Sequence, residues 1–191
     1  MAGEFIGDVR TRWLTGDGGD RDMVLTRTFK FKDSEGKVWT APRGSVINGA
    51  SIPAALWTFG PPYVGDYRFA SVIHDHYCVS KTETWQDTHY MFYEGCRAGG
   101  IGLVKAKAMW AAVHFGGPRW PAPTKRSLLR RMTGRPAKPV EDEAFESVGA
   151  SEAPKMNSSE FEALSDWIQS NDPDISAIRA KGEEMAASNL S

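Results

Sequence analysis

The chain has 191 residues, 41% of them hydrophobic and 25% charged, with seven Trp, a composition that sustains a packed core and excludes an intrinsically disordered polymer. It offers no run of about 18 apolar residues that could span a bilayer, and Cys78 and Cys96 are too few for a disulfide scaffold or a cysteine-only zinc site. The net charge of −1 conceals three regions: residues 1–117 sum to +1, residues 118–139 carry seven bases and no acid, and residues 140–191 sum to −9. Met1-Ala2-Gly3-Glu4-Phe5 lacks the basic and apolar regions of a signal peptide, so synthesis in a reducing cytoplasm is expected.

Residues 4–41 read as β structure. Phe29 and Phe31 alternate with Lys30 and Lys32, the period of a strand with one wet face. Asp33-Ser34-Glu35-Gly36 supplies turn residues before Lys37-Val38-Trp39-Thr40, so 22–41 is expected to form a hairpin, with 4–14 adding a third strand.

From residue 52 the pattern becomes helical. Ile52 to Trp57 suits a short helix with Pro53 in its first turn. Asp66 is expected to cap a helix running through Cys78, with Phe69, Ile73 and Tyr77 on one side. Ser80-Lys81-Thr82-Glu83 reads as a capping box for a helix over 84–97, ended by Gly99-Gly100. Ile101 to Phe115 forms the next, closed by Gly116-Gly117-Pro118. The expected fold is α+β, with antiparallel strands followed by a small helical bundle in a core of residues 4–118.

Beyond it, 119–157 is a basic and then Pro-, Glu- and Ser-rich linker containing a short basic helix over 124–133. Residues 158–191 form an acidic amphipathic helical tail capped at Ser158-Ser159-Glu160, with Phe161, Leu164, Trp167 and Ile168 as its apolar stripe. Such a stripe must bind the body, a sister subunit or another protein, and docking onto a partner is the favoured expectation. The basic stretch with Trp120 could contact nucleic acid, but no recognition motif accompanies the charge, so specific nucleic-acid binding is disfavoured.

The chemistry-bearing residues gather in Asn48-Gly49-Ala50-Ser51-Ile52-Pro53, His74-Asp75-His76-Tyr77 and Asp87. Adjacent helical positions point about 100° apart, so His74 and Asp75 must find separate partners. Asp87, on the following helix, is expected to accept from the His74 imidazole and orient it as a general base. The competing expectation is a buried polar network with every donor satisfied. His89, two residues from Asp87, is expected to be exposed, and His114 to be a partly cationic helix-end residue. The aromatic residues at 85, 90, 93 and 110, and both thiols, read as core.

These residues resemble a phage and prophage family of unknown function. Its members combine an Asp-Gly-Ala-Ser-Ile-Pro turn, a His-Asp-x-x-Tyr helix, an Asp in the next helix and an Ala-Val-x-x-Phe-Gly ending. Here they stand as Asn48 to Pro53, His74 to Tyr77, Asp87 and Ala112 to Gly116, over roughly residues 22–118. Asn48 replaces the family's usual Asp, which removes a carboxylate from any catalytic or metal site. The His-Asp-x-x-Tyr helix is also similar to that of secreted phospholipases A2, as an analogy for a His that activates water.

The resemblance implies a phage context: a virion-associated structural component, made in the host cytoplasm, whose tail docks onto other virion or assembly proteins in an oligomeric setting. The alternative is a hydrolase of envelope polymer or lipid. On that reading His74, Asp87 and Ser51 are catalytic, Asn48 and Tyr77 contact substrate, and Asp75 binds a divalent metal.

Overall fold

The computed structural model describes residues 3–14, 22–47, 65–122 and 156–188. It is an α+β fold of six short strands followed by helices. The expected helices over 52–57 and 124–133, and most of the linker, lie outside the described residues.

The strands make two three-stranded antiparallel sheets. In the first, β4 (Phe29–Lys32) lies between β1 (Glu4–Ile6) and β5 (Val38–Ala41). In the second, β3 (Met23–Leu25) lies between β2 (Thr11–Trp13) and β6 (Val46–Ile47). The β4–β5 hairpin forms as its alternation requires, with Phe29 and Phe31 buried and Lys30 and Lys32 exposed. Asp33 fixes its turn: Oδ1 accepts from the backbone N–H groups of Glu35 and Lys37, and Oδ2 accepts from the Trp39 indole at 2.8 Å.

The expected hairpin over 22–41 is broken, because β3 leaves β4 and pairs with β2 and β6. Residues 4–14 likewise divide between the sheets, with Phe5 opposite Phe31 and Arg12 opposite Val24. Phe5 stacks on Phe29 at 5.7 Å and meets Phe69 edge-on at 5.4 Å, locking the first sheet to the helices.

The helices are α1 (Arg68–Ser80), α2 (Trp85–Ala98), α3 (Leu103–Gly116), α4 (Ser158–Asn171) and α5 (Ile175–Ala187). Three expected caps move. The N-cap of α1 is Tyr67 with no side-chain hydrogen bond, rather than Asp66. Thr84, not Ser80, caps α2 by accepting from the Asp87 N–H. Asn157 caps α4 in a full capping box with Glu160. Each of the two side-chain caps stands just before the first helical residue, where its oxygen reaches a free N–H.

Two hydrophobic clusters result. Met23, Leu25, Phe29, Phe31, Trp39 and Ile47 pack on Ile73, Tyr77 and Met91 between sheets and helices. Phe92, Cys96, Met109, Trp110 and Phe115 pack with Phe161, Leu164, Ile168 and Ile178. The second cluster corrects the docking-tail expectation: Leu164 and Ile168 are fully buried and Phe161 nearly so, within the chain itself. Trp167 packs against the edge of that cluster.

Helix α3 explains why the tail folds back. Its residues from Ala106 to Phe115 are buried without interruption, so it needs cover on every side. With α2 on one flank, α4 and α5 supply the other. Lys107 Nζ reinforces the contact by donating to Asp172 Oδ1 at 2.6 Å and to the Asp172 carbonyl at 3.2 Å, at the C-terminus of α4. Among the described residues no helix is long and apolar enough to cross a membrane.

Candidate functional site

Helix α1 carries the site because almost every face of it is covered. Towards the sheets, the Tyr77 hydroxyl accepts from the Thr40 N–H at 3.0 Å and its ring meets Trp39 edge-on at 4.9 Å. Tyr77 is 4% exposed; in place of the expected substrate contact, it pins α1 to the outer strand β5. On the next face, the Ser45 hydroxyl donates to the Pro42 carbonyl at 2.8 Å. That hydroxyl proton being committed, Ser45 Oγ accepts from His76 Nδ1–H at 3.0 Å. Burial lowers the His76 pKa, with the Asp75 charge opposing.

Towards α2, α1 presents His74 and Cys78, one turn apart and both buried. His74 Nε2 lies 2.8 Å from His89 Nδ1. His89 Nε2 lies 3.1 Å from the Pro118 carbonyl oxygen. A carbonyl can only accept, so His89 carries its proton on Nε2 and leaves Nδ1 bare. His74 therefore donates from Nε2, and Cys78 Sγ lies beside the ring, 3.7 Å from Nδ1 and 3.6 Å from Nε2. A chain of neutral groups runs from His74 through His89 to the backbone at Pro118, with Cys78 packed beside it.

The surroundings keep both rings uncharged. Burial pushes His74 down to about 3. His89 is held well below the ordinary imidazole value by burial first, then by its closeness to the His74 ring and by the Arg119 charge, against the opposing effect of the Pro118 bond. Phe92 lies 5.0 Å from the His74 ring, and Trp85 and Trp120 flank His89 at 5.6 and 6.1 Å. The chain leaving α3 comes close enough only because residue 117 is Gly. A Cβ there would meet the Val113 carbonyl oxygen at 2.3 Å and the His89 ring at 3.2 Å. Trp120 then closes the site by donating from its indole to the Glu83 carbonyl at 2.8 Å.

This geometry replaces the expected His74–Asp87 pair with a His74–His89 pair. Asp87 is exposed in the first turn of α2, where its N–H satisfies the Thr84 cap. The inward face of α2 is Thr88, His89, Met91, Phe92, Gly95 and Cys96. His89, Phe92 and Cys96 were a readable helical stripe, and His74-x3-Cys78 a readable one-turn pair. Tyr90, expected in the core, is 43% exposed.

Asp75 is buried, but the donor atoms that gather within 4.8 Å of one another belong to His74, Cys78 and His89. Asn48 and Ser51 lie outside the described residues.

His114 also departs from expectation. It is buried between Trp110 at 4.5 Å and Trp85 at 5.0 Å, and burial, with the nearby His89 ring and the charges of Arg179 and Arg119, lowers its pKa to about 3. It borders a cleft of about 260 Å³ with Trp85, Arg119, Arg179 and Glu183; His74, Asp75 and Cys78 do not line that cleft. Both thiols are buried, and burial raises the Cys96 pKa.

Over its whole length, the chain is 37% identical to the uncharacterized protein y4jT of Sinorhizobium fredii (strain NBRC 101917 / NGR234), across 99% of this chain and 51% of that protein. It is also 37% identical to the uncharacterized protein y4iH of the same organism over 117 residues, 61% of this chain and 48% of that one. The chain thus spans about half the length of these curated relatives. The y4jT similarity includes α4 and α5, in keeping with their place in the core. No solved structure matches the chain. Residues 23–113, from β3 into the last turn of α3, match the family described as protein of unknown function (DUF1353), and the cluster of His74, Cys78 and His89 lies inside that match.

Proposed function

We propose that the chain is a non-catalytic structural component of a phage-derived assembly, made in the host cytoplasm and carried in the virion. The observation that carries the non-catalytic part is the enclosure of His74: its ring is 0% exposed and bonded to a second neutral imidazole. A general base needs a carboxylate or comparable group to stabilise its protonated form and a path to substrate. His74 has a partner whose own protonation is opposed by burial. The arrangement instead ties α1, α2 and the segment after α3 into one rigid unit.

The phage context is supported by the sequence resemblance, and the structural role by the enclosed network. Because the tail covers α3, contact with neighbouring subunits falls to other surfaces of the fold. Mass spectrometry of purified particles from a producing strain tests the assembly role, with the chain expected at a fixed stoichiometry to the capsid or tail proteins. Its recovery only in the soluble lysate would refute that role. Hydrolysis of an envelope substrate that is lost in His74→Ala and retained in His76→Ala would refute the non-catalytic reading.

A further inference from the structure

We infer that His74, Cys78 and His89 form a zinc site, a mononuclear centre in which two imidazole nitrogens, one thiolate and a water in the fourth position would clamp α1 to α2. The inference rests on the structural reading of this cluster and adds the ligand that the cluster is built to hold. Three independent features lead to it.

The first is donor chemistry. One soft sulfur and two imidazoles suit zinc and disfavour magnesium or calcium, which take oxygen ligands. The second is spacing. Zn–N bonds of about 2.0–2.1 Å and a Zn–S bond of about 2.3 Å place tetrahedral ligand atoms about 3.3–3.6 Å apart. Cys78 Sγ stands 3.6 Å from His74 Nε2, and all three donor atoms lie within 4.8 Å of one another. The 2.8 Å between His74 Nε2 and His89 Nδ1 is a hydrogen-bond distance, and it opens by about half an ångström when a metal replaces the shared proton.

The third feature is the supporting shell. A metal-bound His commonly donates its other ring N–H to a carbonyl or carboxylate, which fixes the tautomer and aims the bare nitrogen at the metal. The His89 Nε2 bond to the Pro118 carbonyl does this already. Trp85, Phe92 and Trp120 enclose the imidazoles in apolar rings.

Binding balances as follows. The Cys78 thiol loses its proton to solvent as the Zn–S bond forms. The His74 proton moves from Nε2 to Nδ1, freeing Nε2 for the metal, and His89 keeps its proton on Nε2. One proton is released for each zinc taken up.

The test uses the full chain, stripped with chelator and titrated with Zn²⁺ or, for its visible spectrum, Co²⁺. Expected results are one metal per chain, a thiolate-to-cobalt charge-transfer band, and a Tm rise of about 5–10 °C when free zinc exceeds Kd a hundredfold. Cys78→Ser should lose the charge-transfer band and at least tenfold in affinity, while His76→Gln and Asp87→Asn should bind like wild type. Circular dichroism of the metal-free Cys78→Ser protein establishes that it is folded. No metal uptake by the wild type, or an unchanged charge-transfer band in Cys78→Ser, overturns the zinc site and leaves the virion assignment standing. Failure to find the chain in particles would have the converse effect.

Discussion

Replacing Gly182 with Ala puts the return of the tail onto the body to a test in which two physical effects have opposite signs. Gly182 lies within α5 and is buried. On a solvent-facing helix, Gly→Ala stabilises by about 1 kcal/mol because Ala has less backbone entropy to lose. Here a Cβ on residue 182 would sit 2.2, 2.4 and 2.9 Å from three ring carbons of Phe115, whereas carbon atoms prefer separations of about 3.5–4.0 Å. Phe115 is 2% exposed, so its ring cannot swing aside into water. Overpacking of this kind costs about 1–3 kcal/mol, and a misfit of more than an ångström against a buried ring belongs at the upper end. The expected net effect is a loss of about 1–2 kcal/mol, or a fall in Tm of about 2–8 °C for a chain of this size. Thermal unfolding followed by circular dichroism measures it, and repeating the substitution in a Phe115→Leu background closes a double-mutant cycle in which the penalty should shrink. A rise in Tm on Gly182→Ala would refute the reasoning, since it would mean that α5 presents this face to solvent.

Other substitutions probe the same architecture. Leu164→Ala removes a fully buried side chain from α4 and should cost about 2–5 kcal/mol in chemical denaturation; a cost below about 0.5 kcal/mol would place that stripe outside the core. Asn157→Ala deletes the α4 capping box and should cost about 1 kcal/mol, seen as earlier fraying of 158–171 in hydrogen exchange. Asp87→Asn alters an exposed carboxylate and should leave Tm within about 2 °C and the His74 and His89 imidazole NMR signals unmoved; movement of those signals would restore Asp87 to the site. For pH, the folded His114 titrates near 3 against an ordinary value of 6.5. Below about pH 6.5 the unfolded chain takes up a proton that the folded chain refuses, so stability falls between pH 6.5 and 3 by about 1.4 kcal/mol per pH unit from this group. His114→Phe should flatten the fall of Tm with pH by that share, and an unchanged pH profile would show that His114 does not contribute to it.

Local chemistry was enough to read the β4–β5 hairpin, the three central helices and the amphipathic stripe of α4, because each depends on alternation, helical spacing or a stop signal within a few residues. It was also enough to single out His74 as a polar residue inside an apolar helix. The partner of His74 was not determined locally. Asp87 and His89 both lie on the helix that follows, and only the rotation of α2 about its axis, set by burial of Phe92 and Cys96, turns His89 inward and leaves Asp87 in water. The split of residues 4–41 into two sheets likewise depends on β3 pairing with β2 and β6, contacts between segments distant in sequence. The acidic tail shows the same division. Its sequence dictates an apolar stripe that must be covered, but the cover is supplied by α3, a helix too apolar on all sides to remain in water without it.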